Sequence, residues 1–212
     1  IVAMVNRQMP RVHGDNFIHA SKLDFIVEAN EPLFQAAKVE LSERHMLIGK
    51  YIASLIEDGS TLQMGIGAIP DATLFYLKEK RNLGIHTEMF SDGVVELVES
   101  GVINGEEKSL HPGKVVSSIV MGSQHVYDFI HENPFMEFHP TDYVNDPYII
   151  AQNNKMVAIN SSIEIDLTGQ VCSDSMGRTN FSGIGGQVDF MRGASRSIDG
   201  RPIIAMPSTA KQ

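Results

Sequence analysis

The sequence has one cysteine, Cys172, and no tryptophan in 212 residues. A single cysteine excludes a disulfide framework and any zinc site built on paired cysteines. The residue itself reads as a small buried hydrophobe in a strand. The 8 histidines are scattered singly from His13 to His139 with no HExxH or HxH spacing, so no metal site is expected. A GxSxG nucleophile elbow and a Walker A sequence are also missing. Cationic charge is scarce: 17 Lys and Arg stand against 26 Asp and Glu, for a net charge of −9, and the basic residues are dispersed. That excludes a nucleic-acid-binding stripe. It does not exclude a phosphorylated ligand, because helix N-termini bind anions whatever the net charge. No apolar run approaches the roughly 20 residues that span a membrane, and no signal peptide is recognisable. No membrane partner is expected, and the expected compartment is the cytoplasm.

What is present is an ordinary globular composition, 42% apolar and 20% charged, in a chain long enough for one large α/β domain or two small ones. The chain begins at Ile1 inside a strand-like run, without an initiator Met. It ends just after the apolar run Ile203–Met206. A segment of a longer polypeptide is expected.

Along the chain, Ile1–Val5 and Phe25–Val27 read as strands. Val39, Leu41, Met46, Ile48, Ile52, Leu55 and Ile56 recur at helical spacing and predict a helix from Gln35 to Glu57, stopped by Asp58-Gly59. Ser60–Met64 reads as a strand. It leads into the glycine turn Gly65-Ile66-Gly67-Ala68-Ile69-Pro70-Asp71, with Pro70 in the first turn of a helix. Leu83-Gly84-Ile85 reads as the end of a buried strand that delivers His86, Thr87 and Glu88 to a turn, before a helix opening at Ser91-Asp92-Gly93. Val115–Met121, nearly all apolar, predicts a strand buried on both faces. Short strands then follow at Met156–Ile159, Ile163–Leu167 and Gln170–Ser173, with a hairpin turn at Leu167–Gln170. A second glycine turn, Gly183-Ile184-Gly185-Gly186, precedes a short helix and a last strand at Ile203–Met206. Alternation of strand, glycine turn and helix indicates an α/β fold with a mostly parallel sheet flanked by helices, and a β-rich portion near the end.

Glu88 would then lie at the carboxyl end of a strand, where ligand crevices form in open α/β sheets. On local chemistry alone, a lone Glu at such a place is more often a solvated surface residue. The first glycine turn has two readings. It resembles a dinucleotide fingerprint with Pro70 in place of the third glycine, and Glu88 falls near the spacing of its acidic partner; a tight turn without a ligand is the other. Three glycines in four residues at the second turn suit either amides that hold an oxyanion or a flexible loop.

Taken together, the motifs GIGAIPDA (65–72), LGIHTEMFSDGVVEL (83–97), YVNDP (143–147), AINSSIEIDLTGQV (158–171), GIGGQVDFMRGA (183–194) and IIAMPST (203–209) resemble the acetyl-CoA hydrolase/transferase family. The likeness is to its 4-hydroxybutyrate and butyrate:acetate CoA-transferase branch. The resemblance implies a CoA-transferase-like (NagB/RpiA-type) fold made of two related halves. Residues 1–30 would be the end of the first half or an interdomain segment. Residues 31–212 would be the second α/β domain, truncated at its C-terminal end.

The resemblance also implies that Glu88 is a nucleophile and that Gly65, Ile66, Gly67, Ala68 and Ile69 form a loop contacting coenzyme A. Gly185 and Gly186 would lie beside the thioester carbonyl, with Asn160 a further contact. Acyl-CoA and short-chain carboxylic acids are the implied substrates, with no permanently bound cofactor and a homo-oligomer, a dimer, as the assembly. A carboxylate is ionised at neutral pH and needs no general base, which fits the missing Ser-His-Asp set. Backbone amides at Gly185-Gly186 would stabilise a tetrahedral oxyanion by ~3 kcal/mol. An acyl-CoA hydrolase and a non-catalytic CoA-binding module are the alternatives.

Overall fold

Strands with continuous apolar runs must be covered on both faces, and the chain meets this with one parallel sheet between two helical layers. The computed structural model describes residues 1–37 and 39–209. In chain order the strands and helices are β1 (Val2–Asn6), β2 (His13–Gly14), β3 (Phe25–Ala29), α1 (Glu43–Ser54), β4 (Thr61–Met64), α2 (Ala68–Phe75), β5 (Gly84–Phe90), α3 (Asp92–Glu99), β6 (Val115–Val120), α4 (Gln124–Ile130), β7 (Met136–Phe138), α5 (Thr141–Val144), α6 (Pro147–Ile150), β8 (Met156–Ser161), β9 (Glu164–Ile165), β10 (Val171–Cys172), β11 (Ser175–Met176), β12 (Thr179–Asn180), α7 (Gln187–Arg196) and β13 (Arg201–Ala205). Seven strands form one sheet in the order β13-β8-β4-β5-β6-β7-β2. Every pairing in it is parallel. β5 is therefore the central strand.

Alternation along the strands divides the core between the two faces. Leu62, Ile85, Val115 and Val157 belong to one apolar cluster, with Ile52, Leu74, Leu97 and Ile130 from α1 to α4. Val116, Met156 and Ala158 belong to the other, with Val144, Ile150, Phe190 and Ala194 from α5, α6 and α7. Ile85 faces the first layer. His86 faces the second, where its ring lies 6.2 Å from that of Phe190. By the same alternation Glu88 projects towards the layer that carries α5 and α7.

Two local expectations are revised. The helix predicted from Gln35 starts at Glu43, because Ser42 caps it: the Ser42 hydroxyl accepts from the His45 N–H, and the His45 ring accepts from the Ser42 N–H. The residues before it are held elsewhere, by Ala36 N–H on the Gly122 carbonyl and by Tyr127 Oη on the Phe34 carbonyl. Second, β5 does not end at Ile85. It runs on to the fully buried Phe90, so Glu88 is a strand residue rather than a turn residue. β2, at one edge of the sheet, and its neighbour β7 are too short for their periodicity to be read in the sequence.

The β-rich portion takes the form of two small hairpins, β9–β10 and β11–β12. The turn at 167–170 is closed by the Asp166 carboxylate, which accepts the N–H groups of Thr168 and Gln170 at 2.8 and 2.9 Å. Apart from the sheet, β1 and β3 pair only with each other, in parallel.

Helix α1 approaches α2 closely enough that a Cβ on Gly49 would lie 2.5 Å from the Ala72 carbonyl carbon. Gly49→Ala should therefore separate the two helices and lower stability by about 1–3 kcal/mol, despite the better helix propensity of alanine. Urea denaturation of the two proteins measures this, and an unchanged midpoint would contradict the packing.

Candidate active site

Where β4 and β5 leave each other, side chains replace the ladder. Their registered pairs are Thr61 with Gly84 and Leu62 with Ile85. Beyond these, the Thr87 hydroxyl donates to the Met64 carbonyl at 3.0 Å. On the other side, β5 pairs with β6 at Thr87 and again at Met89, but not at Glu88. The Glu88 carbonyl instead accepts the Ser117 hydroxyl at 3.1 Å. Glu88 thus occupies an interruption in the central strand, fixed on both flanks.

Its carboxylate is gripped at one oxygen. Oε2 accepts Asn145 Nδ2 at 2.8 Å and the Gly186 backbone N–H at 3.1 Å. Gly186 is the N-cap of α7, so the carboxylate meets the positive end of that helix. Among the described residues, Oε1 accepts no hydrogen bond, and no Lys, Arg or His forms an ion pair with Glu88. The arrangement needs a glycine: a Cβ on Gly186 would fall within contact distance of both Glu88 Oε2 and Asn145 Nδ2. A half-buried carboxylate held only by N–H dipoles, with one oxygen unengaged, has the makings of a nucleophile rather than of a structural ion pair.

The other expected site residues are distributed around this point. Gly65 and Ile66 follow β4 directly, and Gly67 caps α2, in which Ala68 and Ile69 are the first residues. Ile66 and Gly67 line a cavity of 720 Å³ together with Ala36, Leu41, Asp71 and Ser91. Gly185 lines a second cavity with Cys172 and Met191. Glu88 lines neither. Asn160, on β8, is not brought to the carboxylate; its Nδ2 donates to Gln63 Oε1 at 2.8 Å, across the pair β4–β8. Asn145 is a candidate polar site residue on its sequence, but it is not among the expected contacts. It lies in YVNDP, but nothing in its local sequence tells a site amide from the polar residue of a Pro-containing turn.

Comparison with known proteins places the chain in a family. Residues 122–212 match the family model described as the acetyl-CoA hydrolase/transferase C-terminal domain. The 4-hydroxybutyrate coenzyme A transferase of Clostridium kluyveri is 56% identical over 210 residues, which are 99% of this chain and 49% of that protein. The chain belongs to the acetyl-CoA hydrolase/transferase family. A succinyl-CoA:acetate/propanoyl-CoA:succinate CoA transferase of Fasciola hepatica is 54% identical, over 100% of this chain and 45% of its own length. The crystal structure of the 4-hydroxybutyrate CoA-transferase of Porphyromonas gingivalis superposes with a TM-score of 0.89 at 50% identity, covering 99% of this chain and 50% of that one. The chain spans about half the length of the curated relatives it matches.

Within this family chain, one buried imidazole beneath the site has a defined protonation. His86 Nε2 lies 2.8 Å from the Val144 carbonyl. A carbonyl only accepts, so Nε2 carries the hydrogen, and the buried Nδ1 has no partner among the described residues. Burial, aided by the charge of Lys108, lowers the His86 pKa from 6.5 to about 3. Among the described residues, no helix is long and apolar enough to cross a membrane.

Below the unfolded value of 6.5, the unfolded chain takes up a proton that folded His86 refuses until about pH 3. The stability that neutral His86 contributes is thus present above 6.5 and lost as pH falls, by up to about 1.4 kcal/mol per pH unit. Urea midpoints measured from neutral pH down to about pH 4 should fall steeply in the wild type. The slope should be shallower in His86→Gln, whose amide still donates to Val144 but does not titrate. Equal slopes would contradict the assignment.

Proposed function

We propose that this chain carries the nucleophile of a CoA-transferase that moves CoA between an acyl-CoA and a short-chain carboxylic acid through a glutamyl-CoA thioester on Glu88. The observation that carries the reading is the asymmetric carboxylate: Oε2 is held by Asn145 and Gly186, and Oε1 is unengaged. Oε1 attacks the thioester carbonyl, the tetrahedral adduct expels CoA thiolate, and a mixed anhydride remains. The thiolate then attacks the glutamyl carbon and the original acid departs as its carboxylate. During that attack negative charge develops on the glutamyl oxygen that is not bridging, Oε2. Two donors already aimed at that atom stabilise the second tetrahedral adduct without reorganising. The sequence-based expectation had Gly185-Gly186 on the oxyanion of the acyl substrate. The Gly186 hydrogen bond to Glu88 favours the glutamyl oxyanion instead. An acceptor carboxylate reverses the steps, and thioester is exchanged for thioester.

Gly65–Ile69 and Asn160 are proposed as CoA contacts, the first supported by the cavity beside Ile66 and Gly67. For the acids, the names of the relatives support 4-hydroxybutyrate, butyrate and acetate. Residues 1–30 are proposed to belong to the end of a first CoA-transferase half. β1 and β3 form a two-stranded parallel sheet with Val2, Met4 and Phe25 at 68, 74 and 68% exposure, which suits strands covered by a further layer. A cytoplasmic location and a homodimer are included in the proposal.

In the full-length polypeptide, Glu88→Ala should reduce exchange of CoA between butyryl-CoA and acetate by about 10³-fold or more. Gly186→Ala, which drives a methyl group into the grip on Oε2, should lose about 10²-fold. Wild-type exchange rates in Glu88→Ala would end the proposal. Release of free CoA at the full rate without an acceptor acid would convert it to a hydrolase.

A further inference from the structure

A second cluster of polar side chains lies behind Asn145 and has no part in the chemistry above. His111, in the loop between α3 and β6, points Nδ1 at Glu137 Oε2 of β7 at 2.8 Å and Nε2 at the Tyr143 hydroxyl of α5 at 2.7 Å. His139 Nε2 lies 3.4 Å from the same Glu137 oxygen, and Lys114 Nζ lies 4.0 Å from the other. Burial keeps the His111 pKa below its usual value, so its ring is neutral near pH 7. A carboxylate only accepts, so Nδ1 carries the hydrogen. Nε2 is then an acceptor, and Tyr143 donates to it. The direction of every hydrogen is fixed: Tyr143 to His111 to Glu137.

Two further facts give this relay a purpose. His111 has φ +50°, a left-handed backbone that a residue with a Cβ adopts at a cost of about 1 kcal/mol unless its surroundings impose it. Its loop is pinned to the central strand by buried Lys108, whose Nζ donates to the Ile85 and Lys114 carbonyls at 2.9 Å each. At the other end, Tyr143 is the first of three consecutive anchored residues. Its hydroxyl is held by His111, the Val144 carbonyl by His86, and the Asn145 N–H by the Thr141 carbonyl. Asn145 then presents its amide to Glu88. The ligand atoms of His111, Glu137 and His139 lie within 4.8 Å of one another, close enough to suggest a cation. Both nitrogens of His111 are already engaged, however, and an ammonium group flanks Glu137.

We propose that Tyr143, His111 and Glu137 are positioning residues: their hydrogen-bonded relay holds the 143–145 segment so that the Asn145 amide stays on Glu88 Oε2. The kinetic consequence rests on the reading of Glu88 as the nucleophile. The positional one does not.

The test uses the full-length polypeptide with two readouts. In exchange between butyryl-CoA and acetate, Tyr143→Phe and Glu137→Ala should lower kcat by about 10- to 100-fold and leave KM for the acyl-CoA within about threefold, because a donor is misplaced rather than a binding surface lost. Glu137→Gln keeps an acceptor for His111 and should restore most of the loss. In protein labelled with ¹⁵N-asparagine, hydrogen exchange of the Asn145 side-chain amide should accelerate about tenfold or more in Tyr143→Phe and Glu137→Ala, and return towards wild type in Glu137→Gln. Should Tyr143→Phe fail to fold, the Glu137 pair, at a site 21% exposed, carries the same comparison. Wild-type kcat and amide exchange in both Tyr143→Phe and Glu137→Ala would overturn the proposal. So would one equivalent of Zn²⁺ bound by the wild type and lost in His139→Ala, which would make the cluster a cation site. If the wild type shows no CoA exchange, the Glu88 reading fails, and the amide-exchange comparison alone decides on the relay.

Discussion

Two N–H groups meeting on one oxygen of Glu88 are the interaction around which this chain is arranged. A half-buried carboxylate without such donors would lose water and gain nothing in return. Each donor reaches it from far along the sequence, 57 residues away for Asn145 and 98 for Gly186. The central strand sets the carboxylate on the face covered by α5, α6 and α7. The start of α7 brings an amide without a side chain, and the turn after α5 brings a carboxamide. Had Gly186 carried even a methyl group, the two donors and the acceptor would not fit together.

The same geometry divides the labour between the carboxylate oxygens. In the proposed reaction, charge would be stabilised where donors already point, and bond formation would fall to the atom left unengaged. In the proposed exchange the ionised carboxylate needs no general base, and a preorganised oxyanion contact and the remote binding of a long CoA moiety would lower the barrier. The neutral histidines fit that economy. His86 and His111 are kept uncharged by burial and act as hydrogen-bonding struts rather than as acids or bases.

Much of this was legible in the sequence, for identifiable reasons. Val115–Met121 read as a strand because its run is nearly all apolar, and β6 spans Val115–Val120 with Val115, Val116 and Ser117 buried. The 167–170 hairpin read correctly because Asp166 and Gly169 have turn chemistry. Glu88 and Gly186 became candidates through the family resemblance of LGIHTEMFSDGVVEL and GIGGQVDFMRGA, Gly186 also through three glycines in four residues. The failures share a cause, which is that local pattern does not report tertiary partners. Val39 and Leu41 keep helical spacing with α1, yet the chain ahead of Ser42 is drawn onto α4 and lines a cavity. Glu88 looked like a turn residue because Gly84 and the polar His86 and Thr87 broke the apolar run; all three are buried, and the His86 and Thr87 side chains donate to the Val144 and Met64 carbonyls of neighbouring segments. Asn145 was indistinguishable from an ordinary Asn before a proline turn until the fold brought it to the carboxylate.

The most direct test of the account is mass spectrometry of the full-length polypeptide after incubation with butyryl-CoA and trapping with borohydride. A thioester at Glu88 is reduced to the alcohol, so the account predicts a peptide carrying that mass change at Glu88 and at no other carboxylate, dependent on the acyl-CoA. An unmodified Glu88 in enzyme that still exchanges CoA, or a mass change at a different residue, would contradict it.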